Sequence, residues 1–171
     1  MLVAVAVLTS SCVDRAAPDP APPPTTQRGP VCPESGWQVE VGTADAAMGI
    51  RVMGLTLTNC GDRTFTLDGY PDVQVLDQDG EPLPVTVVDG DIASVPAFAV
   101  EPTPVPVEPG DTAISGILWR NRVTTGPAVT GYGLAVRPVD GDRPQRLLDE
   151  DLHIDLGDTG TLGVRAWTVS P

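Results

Sequence analysis

Lysine is absent from the sequence, and all ten basic residues are arginines. Schiff-base catalysis and the phosphate-binding loop of nucleotide hydrolases both need a lysine amine, so the composition excludes both. The formal net charge is −13, and a surface this negative repels the phosphates of nucleic acid. It also repels an anionic membrane surface, so any membrane attachment needs a covalent anchor. Nucleic acid is therefore not expected as a partner.

Histidine is nearly absent too, since His153 is the only one. A Ser-His-Asp triad would depend on it, but the sequence has no G-x-S-x-G motif around a nucleophilic serine. His153 alternates with Leu152 and Ile154, so on a strand its side chain points away from theirs. We predict a structural or exposed histidine. We predict no catalytic residue, no metal site and no cofactor, and hence no enzyme.

Acidic residues are frequent, but their spacing singles out no site. Residues 77–80, Asp-Gln-Asp-Gly, resemble the start of a calcium loop, but no glutamate stands at the twelfth position, and a hairpin turn is the better interpretation. Asp155, Asp158 and the 140–142 turn could form an open oxygen site if their loops converge. A pair of carboxylates for glycoside hydrolysis also stays open, because any two of the acids could approach each other.

Aromatic residues make up only 4% of the chain, and three of them are tryptophans: Trp37, Trp119 and Trp167. Exposed tryptophans could stack on a sugar. Each of these, however, lies in an alternating segment, which favours a place in the core.

Long helical patterns are lacking, and only residues 144–150 suggest one helical turn. Nineteen prolines and eighteen glycines separate short segments in which apolar and polar residues alternate, as in half-buried strands. About nine such segments predict an all-β fold, a two-sheet antiparallel sandwich of the Ig-like kind. The predicted strands are 37–41, 48–58 with a possible bulge at Gly54, 64–67, 73–76, 83–88, 112–119, 132–136, 152–156 and 164–169. Five prolines make 95–109 a surface loop, with an edge strand at 105–107.

Residues 55–71, LTLTNCGDRTFTLDGYP, are the clearest of these patterns. Leu55 and Leu57 alternate with threonines, turn-forming residues follow Asn59, and the alternation resumes before Gly69-Tyr70-Pro71. We interpret the segment as a β-hairpin with Cys60 in its loop.

The N-terminus predicts export. Residues 1–8 are apolar and lead through small residues to Cys12, an arrangement that resembles a bacterial lipoprotein signal with a lipidated cysteine. A positive n-region is lacking, and Thr9 stands where leucine is usual. The alternative is a buried strand or a short anchor helix. Residues 13–31 are rich in proline and poor in large apolar side chains, so we predict a semi-rigid disordered tether and a folded domain over 32–171.

Cysteine is scarce, with three residues in all. If Cys12 carries lipid, Cys32 and Cys60 remain as an even pair in an exported domain, which predicts a disulfide. A metal site is the alternative, but the C-x-x-C spacing of many such sites is absent.

The stretch 55–84 followed by residues 107–121, VEPGDTAISGILWRN, resembles the domain-of-unknown-function family 4232, whose members are secreted or lipid-anchored actinobacterial proteins. The shared pattern is a strand, a Thr-Asn turn, Gly-Tyr-Pro, an Asp-x-x-Gly turn and later a Pro-Gly turn, over about residues 36–169. The resemblance implies an Ig-like sandwich in the cell envelope and no known activity. Members often carry a cysteine in the strand where this chain has Phe65.

These observations favour a lipoprotein on the outer face of the cell membrane that carries a non-catalytic binding or interaction module. Its partner would be an envelope protein or a glycan, and the sequence identifies no ligand-binding residue. The alternatives are an accessory or sensor subunit tethered beside a membrane complex and, less favoured, a hydrolase that uses paired carboxylates.

Overall fold

The computed structural model describes residues 32–138 and 140–170. These residues form twelve strands and one turn of 3₁₀-helix, Pro96–Phe98, so the predicted all-β fold is confirmed. The strands are β1 Trp37–Ala47, β2 Ile50–Asn59, β3 Phe65–Leu67, β4 Asp72–Leu76, β5 Thr86–Asp89, β6 Val105–Val107, β7 Thr112–Arg120, β8 Val129–Gly131, β9 Gly133–Arg137, β10 Gln145–Leu148, β11 Ile154–Gly157 and β12 Thr161–Val169. The predicted signal segment 1–12 and tether 13–31 lie outside the described residues.

The larger layer is a five-stranded sheet in the order β1-β2-β7-β12-β5. All neighbours are antiparallel except β5, which runs parallel to β12. Alternation along β2 decides which face is buried: Met53, Leu55 and Leu57 are buried, whereas Thr56 and Thr58 are only partly so. The order leaves β1 at one edge of the sheet and β5 at the other.

The opposing layer consists of the sheet β10-β9-β4 and the pairs β11-β8 and β3-β6. Its inward side chains, among them Leu134, Val136 and Ile154, form one core with Trp119 and Val164 of the large sheet. All five are 0% exposed, and fully burying one such side chain stabilises the fold by about 1.5–3 kcal/mol. Two layers that share one core of inward side chains make a β-sandwich, as predicted.

The outer face of the large sheet carries a second, smaller core. Phe98 and Ala93 pack there with Leu118, and Ile50 and Val52 of β2 border the cluster. The predicted proline-rich loop thus begins by covering the sheet, and it then supplies the predicted edge strand β6.

The predicted hairpin over residues 55–71 is wrong. β2 pairs with β1 and β7, whereas β3 pairs with β6 in the other layer. The chain crosses between the layers after Asn59, whose side-chain amide donates to the carbonyl oxygens of Arg63 and Val107, both at 2.9 Å. Because this buried amide ties the end of β2 to β6, β3 is directed to β6 and does not fold back on β2.

The turn predicted at residues 77–80 is present, and the backbone N–H of Asp77 donates to the carbonyl oxygen of Glu81 at 2.9 Å. The chain beyond it returns beside β4 only briefly, through a bridge between Leu76 and Pro82 and a hydrogen bond from the N–H of Leu83 to the carbonyl oxygen of Val75 at 2.8 Å. The expected strand along β4 does not form. Pro82 and Pro84 lack the N–H groups that an antiparallel ladder needs, and the chain crosses over to form β5 beside β12.

The helical turn predicted at residues 144–150 is also wrong, because Gln145–Leu148 is strand β10, antiparallel to β9. None of its four residues is buried, so its sequence lacks the alternation by which a strand is recognised. β8, the other strand that the sequence did not indicate, has only three residues.

Candidate binding site at the β1–β2 hairpin

β1 and β2 form a long hairpin whose turn is Met48-Gly49. Both residues have positive φ, 48° and 76°, the conformation that tight two-residue hairpin turns require. The Met48 side chain is 95% exposed. β1 starts five residues after Cys32, and its 11 residues extend about 30 Å. The tip therefore lies at the end of the sheet opposite to Cys32.

A β-bulge divides the hairpin into a covered and an uncovered half. Val41 pairs with Leu55 but Ala44 pairs with Met53, so Gly42 and Thr43 together face Gly54. The irregularity predicted at Gly54 is present, although the extra residue belongs to β1. Every residue from 42 to 48 is exposed, whereas β2 stays paired with β7 as far as Ile50. The second half of β1, residues 42–47, is therefore its uncovered half, at the edge of the large sheet.

The covered half of the β1 edge is closed by a side chain. The amide of Gln145, on β10, accepts a hydrogen bond from the N–H of Val39 at 2.7 Å and donates one to its carbonyl oxygen at 2.9 Å. The amide thus imitates a neighbouring strand, one of the ways in which proteins protect a sheet edge.

A groove of about 370 Å³ lies beside the bulge. Val41 and Ala44 of β1 and the buried Met53 line one side, and Asp149, Asp151, Leu152 and His153 line the other. A second cavity, of about 400 Å³, borders the same loop and is lined by Gln78, Tyr132, Leu148, Asp149 and Glu150. The uncovered half of β1 therefore borders an acidic loop across a partly apolar groove.

The disulfide predicted between Cys32 and Cys60 is present in the structure. The two sulfurs are 2.01 Å apart and the Cα atoms 5.5 Å apart, within the usual range for a bridge. It joins the chain just before β1 to the turn after β2. The predicted lipid site, Cys12, lies outside the described residues.

A family model described as "Domain of unknown function (DUF4232)" matches residues 32–168. The chain belongs to the DUF4232 family. The match confirms the resemblance seen in the sequence, and it assigns no activity. No curated protein and no solved structure matches the chain.

The DUF4232 domain does not bring together the carboxylates proposed for an open oxygen site. Asp155 accepts hydrogen bonds from the indole of Trp119 at 2.9 Å, from Arg51 at 3.3 Å and from Asn121. Asp142 accepts a bond from the indole of Trp37 at 2.8 Å. Each carboxylate thus has its own partners. In residues 32–138 and 140–170, no group of three or more His, Cys, Asp or Glu side chains is placed to hold a metal ion.

Asp158 fastens the loop after β7 to the turn before β12. One of its carboxylate oxygens accepts the backbone N–H groups of Thr125 at 2.8 Å, Gly126 at 3.1 Å and Thr124 at 2.7 Å, and the Thr124 hydroxyl at 2.8 Å. These donors favour the charged form, so they hold the pKa of Asp158 well below its ordinary value of 3.8. Backbone N–H groups of Val95 and Ala93 likewise lower the pKa of Asp91.

We expect the Asp158→Asn variant to melt at a lower temperature than the parent at pH 7, because the amide loses the charge that the three N–H groups stabilise. A depressed pKa contributes stability above the unfolded value, near 3.8, and this contribution is lost as the pH falls below it. The difference in Tm should therefore shrink between about pH 4 and pH 2. Thermal melts across this range measure it, with the exposed Asp68→Asn as control. A constant difference across the range would show that the charge has no part in it.

The exposure of their side chains shows where the remaining candidate residues, the three tryptophans and His153, lie. Trp37, Trp119 and Trp167 are at most 3% exposed, so they belong to the core, as favoured, and present no ring to a sugar. His153 is exposed, as predicted, and its ring meets the edge of Tyr132 with centroids 5.2 Å apart. Among the described residues, no helix has the length and apolarity needed to cross a membrane.

Proposed function

We propose that this DUF4232 protein is a lipoprotein of the cell envelope, attached through Cys12, whose sandwich is a non-catalytic module that binds an envelope protein. The observation that carries the binding role is the uncovered half of β1, residues 42–47, with the exposed turn at Met48. Cys32 lies near one end of β1, and the exposed tip lies about 30 Å away at the other.

The composition of the tip supports the same proposal. Ala44, Ala46, Ala47 and Met48 are all exposed, and Met48 is the one large apolar side chain among them. A single exposed apolar residue is ordinary, whereas several gathered at one end of a fold favour a contact surface. Methionine is flexible and polarisable, and it is frequent at surfaces that bind protein partners.

The binding role is tested by placing a photo-crosslinking benzoylphenylalanine at Met48 in intact cells. We expect a discrete cross-linked product with one envelope protein after irradiation. The same group at Asp62, an exposed residue beside Cys60 at the opposite end, serves as the matched control and should give no such product. Equal products from both positions, or none from either, would contradict a binding surface at the tip.

The anchoring role is tested by the Cys12→Ser variant. The apolar run 1–8 followed by Cys12 motivates the test, since lipidation requires the thiol. We expect the variant to leave the membrane fraction and accumulate as soluble exported protein, with at least about a tenfold shift in the soluble share because one or two acyl chains dominate membrane affinity. Ser11→Ala, a conservative change one residue earlier, should stay with the membrane. Retention of Cys12→Ser in the membrane fraction would mean that the anchor is something other than this cysteine.

A further inference from the structure

The uncovered half of β1 has backbone groups that face away from the sheet. Val39 turns its N–H and C=O to Gln145, so its partner Leu57 turns its own groups towards β7. The directions of the N–H and C=O groups alternate along a strand, so the backbone groups of Met53 and Arg51 also point to β7. Their β1 partners are Ala44 and Ala46, and both must turn their N–H and C=O groups outward.

These outward groups have no partner among residues 32–138 and 140–170. The hydrogen bonds of that part of the chain include none from the backbone of Ala44 or Ala46 beyond the β1–β2 ladder. Protein sheets usually protect such an edge with lysine, proline or a covering side chain. Here Gln145 closes the edge at Val39, and the uncovered half has only small side chains and one aspartate, Asp45.

The charges around this edge favour a positively charged binding partner. Asp45 lies on the edge itself, and Asp149, Glu150 and Asp151 form the loop across the groove; all four are exposed. Within the described ranges, the two ion pairs are Arg51–Asp155 and Arg137–Asp72, so these four carboxylates are uncompensated. A second copy of the chain would bring the same carboxylates and the same net charge of −13, and like charges brought together oppose pairing. A cationic segment would gain from both features.

We propose that residues 44–47 bind an extended, cationic peptide segment of a partner protein, which joins the large sheet as an additional strand beside β1. This inference rests on the proposed binding function and specifies its partner. The outward N–H and C=O groups of Ala44 and Ala46 supply the main-chain hydrogen bonds, as in other strand-addition complexes. The groove lined by Val41 and Met53 receives side chains of the segment, and the acidic loop pairs with its basic residues.

The opposite edge of the sheet is a weaker candidate. β5 has four residues, and a short edge strand is itself a protective device. Neither of the two cavities described beside β1 is lined by a residue of β5. Binding centred on β5 is accordingly an outcome that would overturn the proposal.

The test titrates the oxidised, ¹⁵N-labelled full chain with a ten-residue peptide of alternating lysine and valine. Two peptides of the same length serve as controls. One alternates glutamate and valine, which keeps the strand tendency. The other has five lysines and five prolines with prolines at both odd and even positions (KKPPKKPPKP), which keeps the charge but removes N–H donors in either register. We expect the first peptide to shift the amide resonances of Ala44 and Ala46 and to slow their hydrogen exchange. The glutamate peptide should not bind. The proline peptide should bind at least about tenfold more weakly than the lysine-valine peptide.

Variants separate the two contributions. Ala46→Pro removes an outward N–H at a position where proline does not interrupt the β1–β2 ladder, and we expect about a fivefold or greater loss of affinity. The matched Ala46→Val, which keeps the N–H, should bind as the parent does. The double variant Asp149→Asn and Asp151→Asn should weaken binding about three- to tenfold and reduce its dependence on salt. Glu101→Gln, an exposed acid elsewhere, should not change it.

Equal affinity for the lysine-proline peptide, or shifts centred on β5, would overturn strand addition at β1. If cross-linking from Met48 persists in cells while the lysine-valine peptide fails to bind, this inference falls and the proposed binding function stands. If both fail, the proposed function falls as well.

Discussion

Replacing Asn59 by leucine should lower the free energy of unfolding by on the order of 3 kcal/mol. The Asn59 side chain is 1% exposed, and its amide donates to the carbonyl oxygens of Arg63 and Val107. Leucine has the same branched arrangement of heavy atoms, a larger volume and no donor, so the buried carbonyl of Val107 loses this partner without access to water. For a domain of this size the Tm should fall by roughly 10 °C, measured by calorimetry on the oxidised chain.

Two further variants make this result specific. Asn59→Asp keeps the oxygen that accepts the N–H of Gly61 at 3.1 Å, but it turns a carboxylate towards two carbonyl oxygens, so it should be at least as destabilising as leucine at pH 7. Gln74→Leu removes an exposed amide on β4 and should change the Tm by less than about 2 °C. If Asn59→Leu melts within that margin of the parent, the amide does not hold the crossing between the layers.

The same residue explains why the sequence predicts the strands better than their pairing. Alternation in LTLT and FTL correctly indicates two strands on either side of a turn. Whether the second strand folds back on the first depends on where Asn59 finds an acceptor, and the carbonyl of Val107 lies 48 positions further along the chain. A local pattern contains no information on such a contact, so the sequence alone predicts a hairpin that the fold does not form.

The candidate site was hidden for a related reason. Residues 42–47, GTADAA, lack large alternating side chains because nothing covers them, and periodicity detects a strand through the face that it buries. The sequence therefore ended the first strand at Val41, where the covered half ends. The Met48-Gly49 pair was the available signal, since a glycine in a two-residue turn favours a hairpin. The role of Gln145, in contrast, depends on a contact across 106 positions.

The cysteine pair was predictable because it needed no knowledge of the fold. An even pair in an exported domain is a compositional argument, and it does not depend on which strands are neighbours. The structure adds the position of the bridge. It closes the loop that contains the whole β1–β2 hairpin, with a sequence separation of 28, so the bridge constrains the element that contains the candidate site.

The Cys60→Ser variant should unfold about 10 °C below the parent. In the chain-entropy account, opening a loop of 28 residues returns roughly 3–4 kcal/mol of conformational freedom to the unfolded state. That is a large part of the 5–15 kcal/mol typical of a domain. Calorimetry of the full chain measures the loss, and alkylation under non-reducing conditions should find no free thiol at Cys32 or Cys60 of the parent.

The pair of single variants and the double variant decide whether the bridge is responsible. Cys32→Ser, Cys60→Ser and the double variant all open the same loop, so they should share one Tm within about 2 °C if each serine is otherwise tolerated. Reducing the parent should bring it to that same temperature. Losses that add up in the double variant would mean that the two side chains act separately through local packing. Two alkylatable thiols in the exported parent would contradict the bridge itself and return the pair to the metal-binding alternative.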